Sequence, residues 1–531
     1  MPALIARALV KLTLLASRHP VLAMLVMLAC LSPCTPAQVG SPFSTSPTIP
    51  STTVRDGPGD ASVLAGMLGL APEQDATTPD TFLAVFQGYL PVMIAAFVVT
   101  LLTTPIMRRL AIANGIVDKP NARKVHTFPI AYLGGVAVFL GIMAGIFISF
   151  VALRFDGLLG FHDTKFIDDR FLTPQPVRFS VILGITVVML LGLWDDVLGI
   201  SPRFKIAGLF ATAAALAIDD VGVRVAAGLI MPVARALGVV SGNAGTLDFG
   251  LWIVPAGAYD TLMLHLPIPG TAGISLDVVY WTGTAIIAIF VLGACNASNL
   301  IDGLDGLLSG VTAIANAGLL TIAILLALVD DGPRDTQRIV LSMAVLGACL
   351  GFLPHNFNPA VIFLGDCGSL MLGFCTIVVV LTLGDTGKTH LVLAGLIIYT
   401  IPLIDTALAI VRRKLAGKRM SDPDSDHLHH MLKRALGVKG AVLTLYAIGI
   451  GFAALGVIST LGRARVTYAL TLLFASYIGV TAIKIARRKQ FEEQARARFD
   501  TAHPELSVAT PPGPPAAPAR EGEEAHATSR A

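Results

Sequence analysis

The sequence predicts an all-α polytopic membrane protein with about eleven transmembrane helices. Of its 531 residues, 54% are hydrophobic and only 14% are charged, against roughly 25% charged residues in soluble domains. The mean hydropathy is +0.74, and the apolar residues form runs of about 20, the length of a membrane-spanning helix. A net charge of +3 is too small to favour nucleic acid as a partner.

The first 87 residues lie before the predicted bundle. Residues 1–32 place Arg7, Lys11 and Arg18 ahead of the short apolar stretch VLAMLVMLACL. This pattern is typical of a signal peptide, although an extra membrane segment is an alternative. Residues 33–87 are rich in Ser, Thr, Pro, Asp and Gly without apolar periodicity, which predicts a disordered linker.

A transmembrane domain is predicted over residues 88–487. Its apolar runs lie at about 88–107, 132–153, 177–194, 204–220, 277–296, 307–329, 338–354, 368–384, 390–410, 441–461 and 466–485. Lys and Arg are concentrated in the loop after the first run and in the loop before the last two, so both loops are expected to be cytoplasmic. Nearly all the unusual polarity then falls on the cytoplasmic side.

Two segments of this chain are not explained by the apolar runs. Residues 221–276 should lie outside and could form a hairpin, a re-entrant element or a short amphipathic helix. Residues 488–531 are expected to form a disordered cytoplasmic tail, in which the charged helix end RRKQFEEQARARF precedes TPPGPPAAPAREGEE.

The pair Asp195 and Asp196 closes one apolar run. Adjacent acids at a helix end are often a solvated terminus. Here they follow the C-terminal end of the helix, where the macrodipole disfavours negative charge. A cation or a cationic partner is therefore expected beside them.

The stretch NASNLIDGLDG places Asn296, Asn299, Asp302 and Asp305 at intervals of three residues. If it is helical, these side chains share a face. Carboxylate and amide oxygens suit magnesium, which also takes phosphate oxygens and water. The alternative is a Gly-rich turn capped by Asn and Asp.

Asp366 lies in FLGDCGS, where flanking glycines allow backbone amides to approach an anion closely. The alternative is an ordinary Gly-Asp turn.

Three histidines, His427, His429 and His430, form a further polar cluster in DSDHLHHML. Three histidines could bind zinc, but the many Lys and Arg residues nearby favour phosphate, and a plain basic loop is the alternative. Asp405, in an apolar run beside Pro402, is interpreted as a structural polar contact rather than a proton relay.

The polar clusters on one side of the membrane combine acids suited to a metal with bases suited to phosphate. This combination predicts phosphoryl transfer at a membrane surface. A secondary transporter would also have about this many spans, but its site would lie near the bilayer midplane on broken helices. A catalytically silent scaffold is the third alternative.

Five motifs resemble one known family. They are DKPNARKVH at 118–126, DDVLGI at 195–200, NASNLIDGLDGL at 296–307, NPAVIFLGDCGS at 358–369 and DHLHH at 426–430. In this order they are similar to the polyprenyl-phosphate N-acetylhexosamine-1-phosphate transferases of glycosyltransferase family 4. DHLHH resembles the bacterial branch that uses UDP-GlcNAc and undecaprenyl phosphate, and differs from the branch that uses UDP-MurNAc-pentapeptide.

The resemblance implies a phosphotransferase of the bacterial cytoplasmic (inner) membrane with cytoplasmic catalytic loops. It would transfer GlcNAc-1-phosphate to undecaprenyl phosphate, releasing UMP, as the first membrane step of a cell-surface polysaccharide such as lipopolysaccharide. Another UDP-N-acetylhexosamine, including UDP-MurNAc-pentapeptide, is the near alternative. The implied cofactor is Mg²⁺, with Mn²⁺ as a substitute, and a homodimer is left open.

The resemblance also implies a role for each motif residue. Asp366 and Asn299 would bind magnesium, Asp305 would contact uracil, and Asp302 would lie near the diphosphate. Asp195 and Asp196 would deprotonate or position the lipid phosphate. The remaining residues would hold phosphate oxygens: Lys124, His427, His429 and His430.

Overall fold

The computed structural model describes residues 81–118, 129–155, 157–160, 175–239, 250–256, 259–268, 273–329, 334–415, 427–462 and 464–502. Helices dominate this part of the chain, so the predicted all-α polytopic membrane fold is confirmed. The signal-like segment, most of the predicted linker and Lys124 lie outside the described residues.

The elements follow one another along the chain as a series of helices with two small sheets. They are α1 (Phe82–Ala113), β1 (Val117–Asp118), β2 (Ile130–Ala131), α2 (Gly134–Val151), α3 (Phe179–Leu198), α4 (Pro202–Ile218), α5 (Val225–Ala236), β3 (Gly250–Ala256), β4 (Tyr259–Leu266), β5 (Ile274–Asp277), α6 (Val278–Ile301), α7 (Leu307–Ala327), α8 (Asp335–Asn356), α9 (Gly365–Thr382), α10 (Thr389–Ile398), α11 (Thr400–Leu415), α12 (Leu428–Thr460) and α13 (Ala464–Ala502).

Eight of the described helices are long and apolar enough to cross a membrane: α1, α2, α3, α6, α7, α8, α9 and α12. The pair α10 and α11 makes a ninth span if it is counted as one, with a bend of 78° at its break. The two remaining predicted runs are also helical. One of them, α4, has 17 residues and is slightly short for the roughly 30 Å hydrocarbon core.

Helix α9 is the central helix of the bundle. It packs against α2, α3 and α6, and 94% of its most apolar 18 residues are buried. The peripheral helix α1 is 22% buried over the equivalent stretch. The N-terminal end of α9 is therefore held from several sides.

The segment between α4 and α6 contains two of the structures that its sequence allowed. A short helix, α5, is followed by an antiparallel three-stranded sheet in the order β3-β4-β5. Met231 of α5 and Ile253 and Leu262 of the sheet share a small apolar core with Val279 of α6. A hairpin and a short helix thus form one small subdomain.

Buried ion pairs connect helix ends on one side of the bundle. Arg334 pairs with Asp385 at 3.0 Å, and Arg338 pairs with Asp335 at 2.6 Å. Arg338 also donates through Nε to the Thr382 carbonyl oxygen at 3.0 Å. These residues lie at the start of α8 and the end of α9, opposite the end that carries Asp366.

Two helices extend beyond residues 88–487, the bounds predicted for the transmembrane domain. Helix α1 begins at Phe82, inside the segment expected to be a linker, because the Thr81 hydroxyl caps it by accepting the Ala84 N–H at 3.2 Å. Helix α13 continues to Ala502 and includes the charged helix end that was expected at the start of the tail. Its Ala, Arg, Glu and Gln residues are good helix formers.

The chain divides into two compact units, Met1–Ser476 and Tyr477–Ala531. All the candidate site residues belong to the first unit.

Candidate active site

Four helix ends carry the motif residues that the sequence singled out. Asp195 and Asp196 lie in the last turn of α3, and Asn299 lies in the last turn of α6. Asp366 lies in the first turn of α9, and His427 is the N-cap residue of α12. Hydrogen bonds link the ends of α3, α6 and α9 directly.

Asp196 caps the N-terminus of α9. Its Oδ1 accepts the backbone N–H of Asp366 at 2.8 Å, and its Oδ2 accepts that of Cys367 at 2.9 Å. The positive end of the α9 dipole therefore faces a carboxylate. This contact supplies part of the compensation that the sequence predicts for two acids at a helix C-terminus.

Two glycines allow α3 and α9 to approach this closely. A Cβ on Gly192 would lie 2.5 Å from the carbonyl oxygen of Asp366. Gly365 has a φ of +70°, and a Cβ there would lie 2.5 Å from Asp196 Oδ2. The backbone of α9 thus meets α3 where a larger side chain would separate them.

Lys205 supplies the cationic partner for the other acid. Its Nζ lies 3.0 Å from Asp195 Oδ2 and also contacts Asp366 Oδ2. The second oxygen of Asp195 accepts the Ile200 N–H at 2.9 Å. Lys205 therefore bridges a carboxylate of α3 and a carboxylate of α9 from the first turn of α4.

Asn299 joins α6 to the same group. Its Nδ2 donates to Asp366 Oδ1 at 2.7 Å and to Ser369 Oγ at 2.9 Å. The neighbouring Ser298 hydrogen-bonds the Tyr399 hydroxyl, which also donates to the Ala294 carbonyl oxygen at 3.1 Å. Tyr399 sits at the break between α10 and α11, so the break is anchored beside Asn299.

Asp302 caps the C-terminus of α6, and the chain leaves the helix there. Of the two forms that the sequence allowed, a shared helical face and a Gly-rich turn, the structure has the turn at DGLDG. Asp302 is half-buried. Burial raises the pKa of Asp302 to about 8, and the charges of Asp366, Asp196 and Asp305 act in the same direction.

Asp305 organises the following turn. Its Oδ2 accepts the side-chain N–H of Asn358 at 2.8 Å and the backbone N–H of Ala360 at 3.0 Å. Nearby, Asn356 Oδ1 accepts the Gly306 N–H at 3.1 Å. The Asp305 carboxylate thus links the DGLDG turn to the NPA segment that precedes α9.

The histidines gather around Asp405. Asp405 Oδ2 lies 2.9 Å from His427 Nδ1 and 3.2 Å from His429 Nδ1. The rings of His429 and His430 have centroids 4.3 Å apart. A Cβ on Gly303 would lie 2.7 Å from His429 Nε2, so this nitrogen borders the turn that carries Asp302.

Tyr132, which precedes α2, also belongs to this environment. Burial raises the pKa of the Tyr132 hydroxyl, and the charges of Asp118, Asp196 and Asp366 contribute. Asp118, the described end of the DKPNARKVH motif, and the acids of the site therefore all lie within electrostatic reach of Tyr132.

The donor set fits a hard divalent cation. Asp366 and Asn299 are in direct contact, and Asp302 is close enough for the charges of Asp366 and Asp196 to raise its pKa. Crowded carboxylates are stabilised by a cation, and carboxylate and amide oxygens are the protein ligands that Mg²⁺ prefers. These residues supply oxygen donors of the kind that a Mg²⁺ site needs, and the metal site stays a prediction.

Sequence reasoning assigned no role to Lys205, Ser369 or Tyr132. Lys205 could have been found, because Ser201 and Pro202 start a new helix just after Asp195 and Asp196. Its first turn must therefore lie near the end of α3. Tyr132 and Ser369 could not be assigned from the sequence, because only tertiary contacts bring them near the acids.

The chain is similar in sequence to proteins of a known family. The pattern described as glycosyl transferase family 4 matches residues 178–384. The chain is 31% identical over 68% of its length, and 83% of the relative's, to a "probable undecaprenyl-phosphate N-acetylglucosaminyl 1-phosphate transferase" of Bacillus subtilis. It is 29% identical over 74% of its length, and 88% of the relative's, to a decaprenyl-phosphate N-acetylglucosaminephosphotransferase of Mycolicibacterium smegmatis.

A shorter part of the chain is similar to a relative that is named for a different activity. It is 35% identical over 36% of its length, and 56% of the relative's, to a phospho-N-acetylmuramoyl-pentapeptide-transferase of Bacillus cytotoxicus. The family pattern covers the helices that supply Asp195, Asp196, Lys205, Asn299 and Asp366. The Bacillus subtilis relative is matched over most of its length, and the chain belongs to glycosyl transferase family 4.

Proposed function

We propose that this protein transfers GlcNAc-1-phosphate from UDP-GlcNAc to undecaprenyl phosphate, giving undecaprenyl-diphospho-GlcNAc and UMP. The names of the relatives support the broader reaction class, a polyprenyl-phosphate N-acetylhexosamine-1-phosphate transferase. The observation that carries the proposal is the meeting of the α3, α6 and α9 ends, where three carboxylates, an amide and Lys205 lie together.

The choice of donor is supported by the extent of the matches. The two relatives named for N-acetylglucosamine match 68% and 74% of this chain, whereas the one named for the muramoyl pentapeptide matches 36%. The form of the DHLHH motif points to the same donor. For the acceptor, one relative is named for an undecaprenyl and another for a decaprenyl phosphate.

The reaction joins a lipid phosphate oxygen to the sugar-linked phosphorus of the donor. The bond from that phosphorus to the bridging oxygen breaks, and UMP leaves with the electron pair. A phosphate monoester has its second pKa near 6, so the nucleophile is already ionised at neutral pH. The main barrier is repulsion between two anions, and side chains that compensate charge and align the phosphates should dominate catalysis.

Each side chain of the site is assigned one role in compensating charge or aligning the phosphates. Lys205 compensates the charge of Asp195 and Asp366, and Asp196 holds the first turn of α9 in place. Asp195 and Asp302 face the reacting phosphates, Asp305 contacts uracil, and the histidine cluster with Lys124 holds phosphate oxygens.

Asp366 and Asn299 would hold Mg²⁺, or Mn²⁺ in its place. When bound, the ion would neutralise charge on the diphosphate and stabilise the leaving UMP. Asn299 Nδ2 donates to Asp366 Oδ1 and to Ser369 Oγ. To hold the ion together with Asp366, the Asn299 amide would turn over, so that its carbonyl oxygen replaces Nδ2 beside Asp366.

The enzyme is proposed to lie in the bacterial cytoplasmic membrane with the site on the cytoplasmic face. The Lys- and Arg-rich loops support this orientation. Secondary transport is less well supported, because the acids lie at helix ends, whereas transporter sites lie near the bilayer midplane.

The test is transfer of label from sugar-labelled UDP-GlcNAc into undecaprenyl-linked lipid by the purified protein, with Mg²⁺ or with EDTA. We expect metal-dependent label in lipid and released UMP. Asp366→Asn should abolish transfer, while Asp219→Asn, at the other end of α4, should keep it. Transfer from another UDP-N-acetylhexosamine alone would change the donor, and no transfer from any donor would refute the proposal.

A further inference from the structure

Asp405 is a buried acid to which the proposed reaction assigns no role. It is 1% exposed and lies in α11, the second half of the bent helix pair. We propose that Asp405 is a positioning residue for His427 and His429, which holds both imidazoles with Nδ1 toward its carboxylate and Nε2 toward the substrate phosphates. This inference rests on the proposed function.

The hydrogen bonds of Asp405 fix the orientation of both rings. Oδ2 is shared by His427 Nδ1 at 2.9 Å and His429 Nδ1 at 3.2 Å, while Oδ1 accepts the Leu428 N–H at 2.7 Å. A carboxylate can only accept when ionised. Both Nδ1 atoms must therefore carry hydrogen, and a ring that also donates from Nε2 to a phosphate oxygen is in its imidazolium form.

The opposite edge of each ring is thereby turned away from Asp405. For His429 this edge borders Gly303, the residue that follows Asp302. One carboxylate thus connects a buried position in α11 to the turn proposed to lie near the diphosphate. His430 lies against His429 but has no described hydrogen bond to Asp405, so the positioning role concerns two of the three histidines.

The bend between α10 and α11 explains how Asp405 reaches the histidines. The helices turn by 78° at Tyr399, whose hydroxyl is anchored to Ser298 and to the Ala294 carbonyl oxygen of α6. Six residues after this anchor point, α11 presents Asp405 to the first turn of α12. A buried carboxylate is costly unless it is hydrogen-bonded, so the three donors also hold Asp405 in place.

A metal is the alternative explanation of this cluster. The ligand atoms of Asp405, His427 and His429 all lie within 4.8 Å of one another, and two nitrogens with one oxygen would suit zinc. The contacts of 2.9 and 3.2 Å are ordinary hydrogen-bond distances. Hydrogen bonds therefore account for the geometry with the groups present.

The experiment compares Asp405→Asn and Asp405→Glu with the wild type in the transfer assay. Asn supplies one acceptor and one donor, so it cannot accept from both imidazoles and the Leu428 N–H. We expect kcat/KM to fall by about 10- to 100-fold, the range for losing an outer residue that orients a functional histidine. Asp405→Glu should recover part of the loss, because it restores a carboxylate.

A double-mutant cycle separates positioning from a general structural defect. In the His427→Ala/His429→Ala background, Asp405→Asn should cause little further loss, because its effect acts through the two rings. Thr406→Val is the matched control on α11. The Thr406 hydroxyl has no hydrogen-bond partner among the described residues, and this variant should keep wild-type activity.

Several outcomes would overturn the inference. It is wrong if Asp405→Asn keeps wild-type activity, or if its effect is fully additive with loss of the histidines. It is also wrong if the purified protein holds one equivalent of zinc that Asp405→Asn releases. Failure of the wild type to transfer from any donor would instead refute the proposed function, so the two failures are distinguishable.

Discussion

Replacing Asp196 with Asn tests whether this acid is a base or the cap of α9. The change keeps the shape of the side chain but removes one acceptor oxygen. One of the two backbone donors, Asp366 N–H at 2.8 Å or Cys367 N–H at 2.9 Å, must then face an amide NH₂ group. The first turn of α9, which carries the Asp366 side chain, should move away from α3.

The size of the effect follows from the lost contact. A hydrogen bond to a charged group contributes about 1.5–3 kcal/mol, and each 1.4 kcal/mol or so is a factor of about ten in rate. If this energy is lost from the active position of α9, kcat should fall by roughly 10- to 150-fold.

The pH dependence distinguishes the two roles. From about pH 6.5 to about pH 9 the lipid phosphate passes to full ionisation, because its second pKa is near 6. A missing base would matter less at high pH, whereas a displaced helix end would not recover. We expect Asp196→Asn to show the same deficit across this range in the labelled transfer assay.

Asp219→Asn is the matched control for this experiment. Asp219 also accepts two hydrogen bonds, from Arg178 at 2.9 Å and Ser180 at 2.7 Å, but at the opposite end of the bundle. It should lower thermal stability without a specific loss of transfer. Recovery of Asp196→Asn to wild-type activity at high pH would refute the capping role.

Three further changes have definite expected results. Gly192→Ala should abolish most transfer, because the new Cβ would lie 2.5 Å from the Asp366 carbonyl oxygen. The control Gly293→Ala should be active, because no atom lies within 4 Å of its Cβ. Equal activities of the two variants would contradict the close approach of α3 and α9. In EDTA, thermal stability should fall as pH rises from about 4 to about 8. The pKa of Asp302 is about 8 in the native protein and 3.8 in the unfolded chain, so over this range the native state holds a proton that the unfolded state has lost. Asp302→Asn should flatten this dependence, and an unchanged slope would exclude Asp302 as its source. Tyr399→Phe should lower the melting temperature by removing the hydroxyl between Ser298 and the Ala294 carbonyl oxygen, at a cost of about 1–3 kcal/mol; an unchanged melting temperature would show that these bonds contribute nothing.

Much of the fold was predictable because lipid imposes a simple length rule on apolar runs. Ten of the eleven predicted runs each lie on one described helix, and the run at about 390–410 falls on α10 and α11. The bend between α10 and α11 was not predictable from hydropathy, because both halves belong to one continuous apolar run. For the segment that forms α5 and the small sheet, the sequence left a hairpin, a re-entrant element and a short helix open and could not decide between them.

The site was predictable as a set of residues but not as a set of contacts. The macrodipole argument correctly required a positive partner for Asp195 and Asp196, yet it could not choose between Lys205 and the N-terminus of α9. The sequence left open whether Asp302 and Asp305 share a helical face or lie in a Gly-rich turn, and the helix ends at Ile301. Such pairings depend on which helix ends meet, and that information is tertiary.

The burial of α9 has a consequence for how the protein responds to its bilayer. A helix exposed to lipid must tilt or shift when the thickness of the hydrocarbon core changes. Helix α9 is enclosed by protein, whereas α1 is mostly exposed at its surface, so peripheral helices such as α1 should absorb most of the mismatch. The geometry at Asp366 should therefore stay nearly constant in thin and thick membranes.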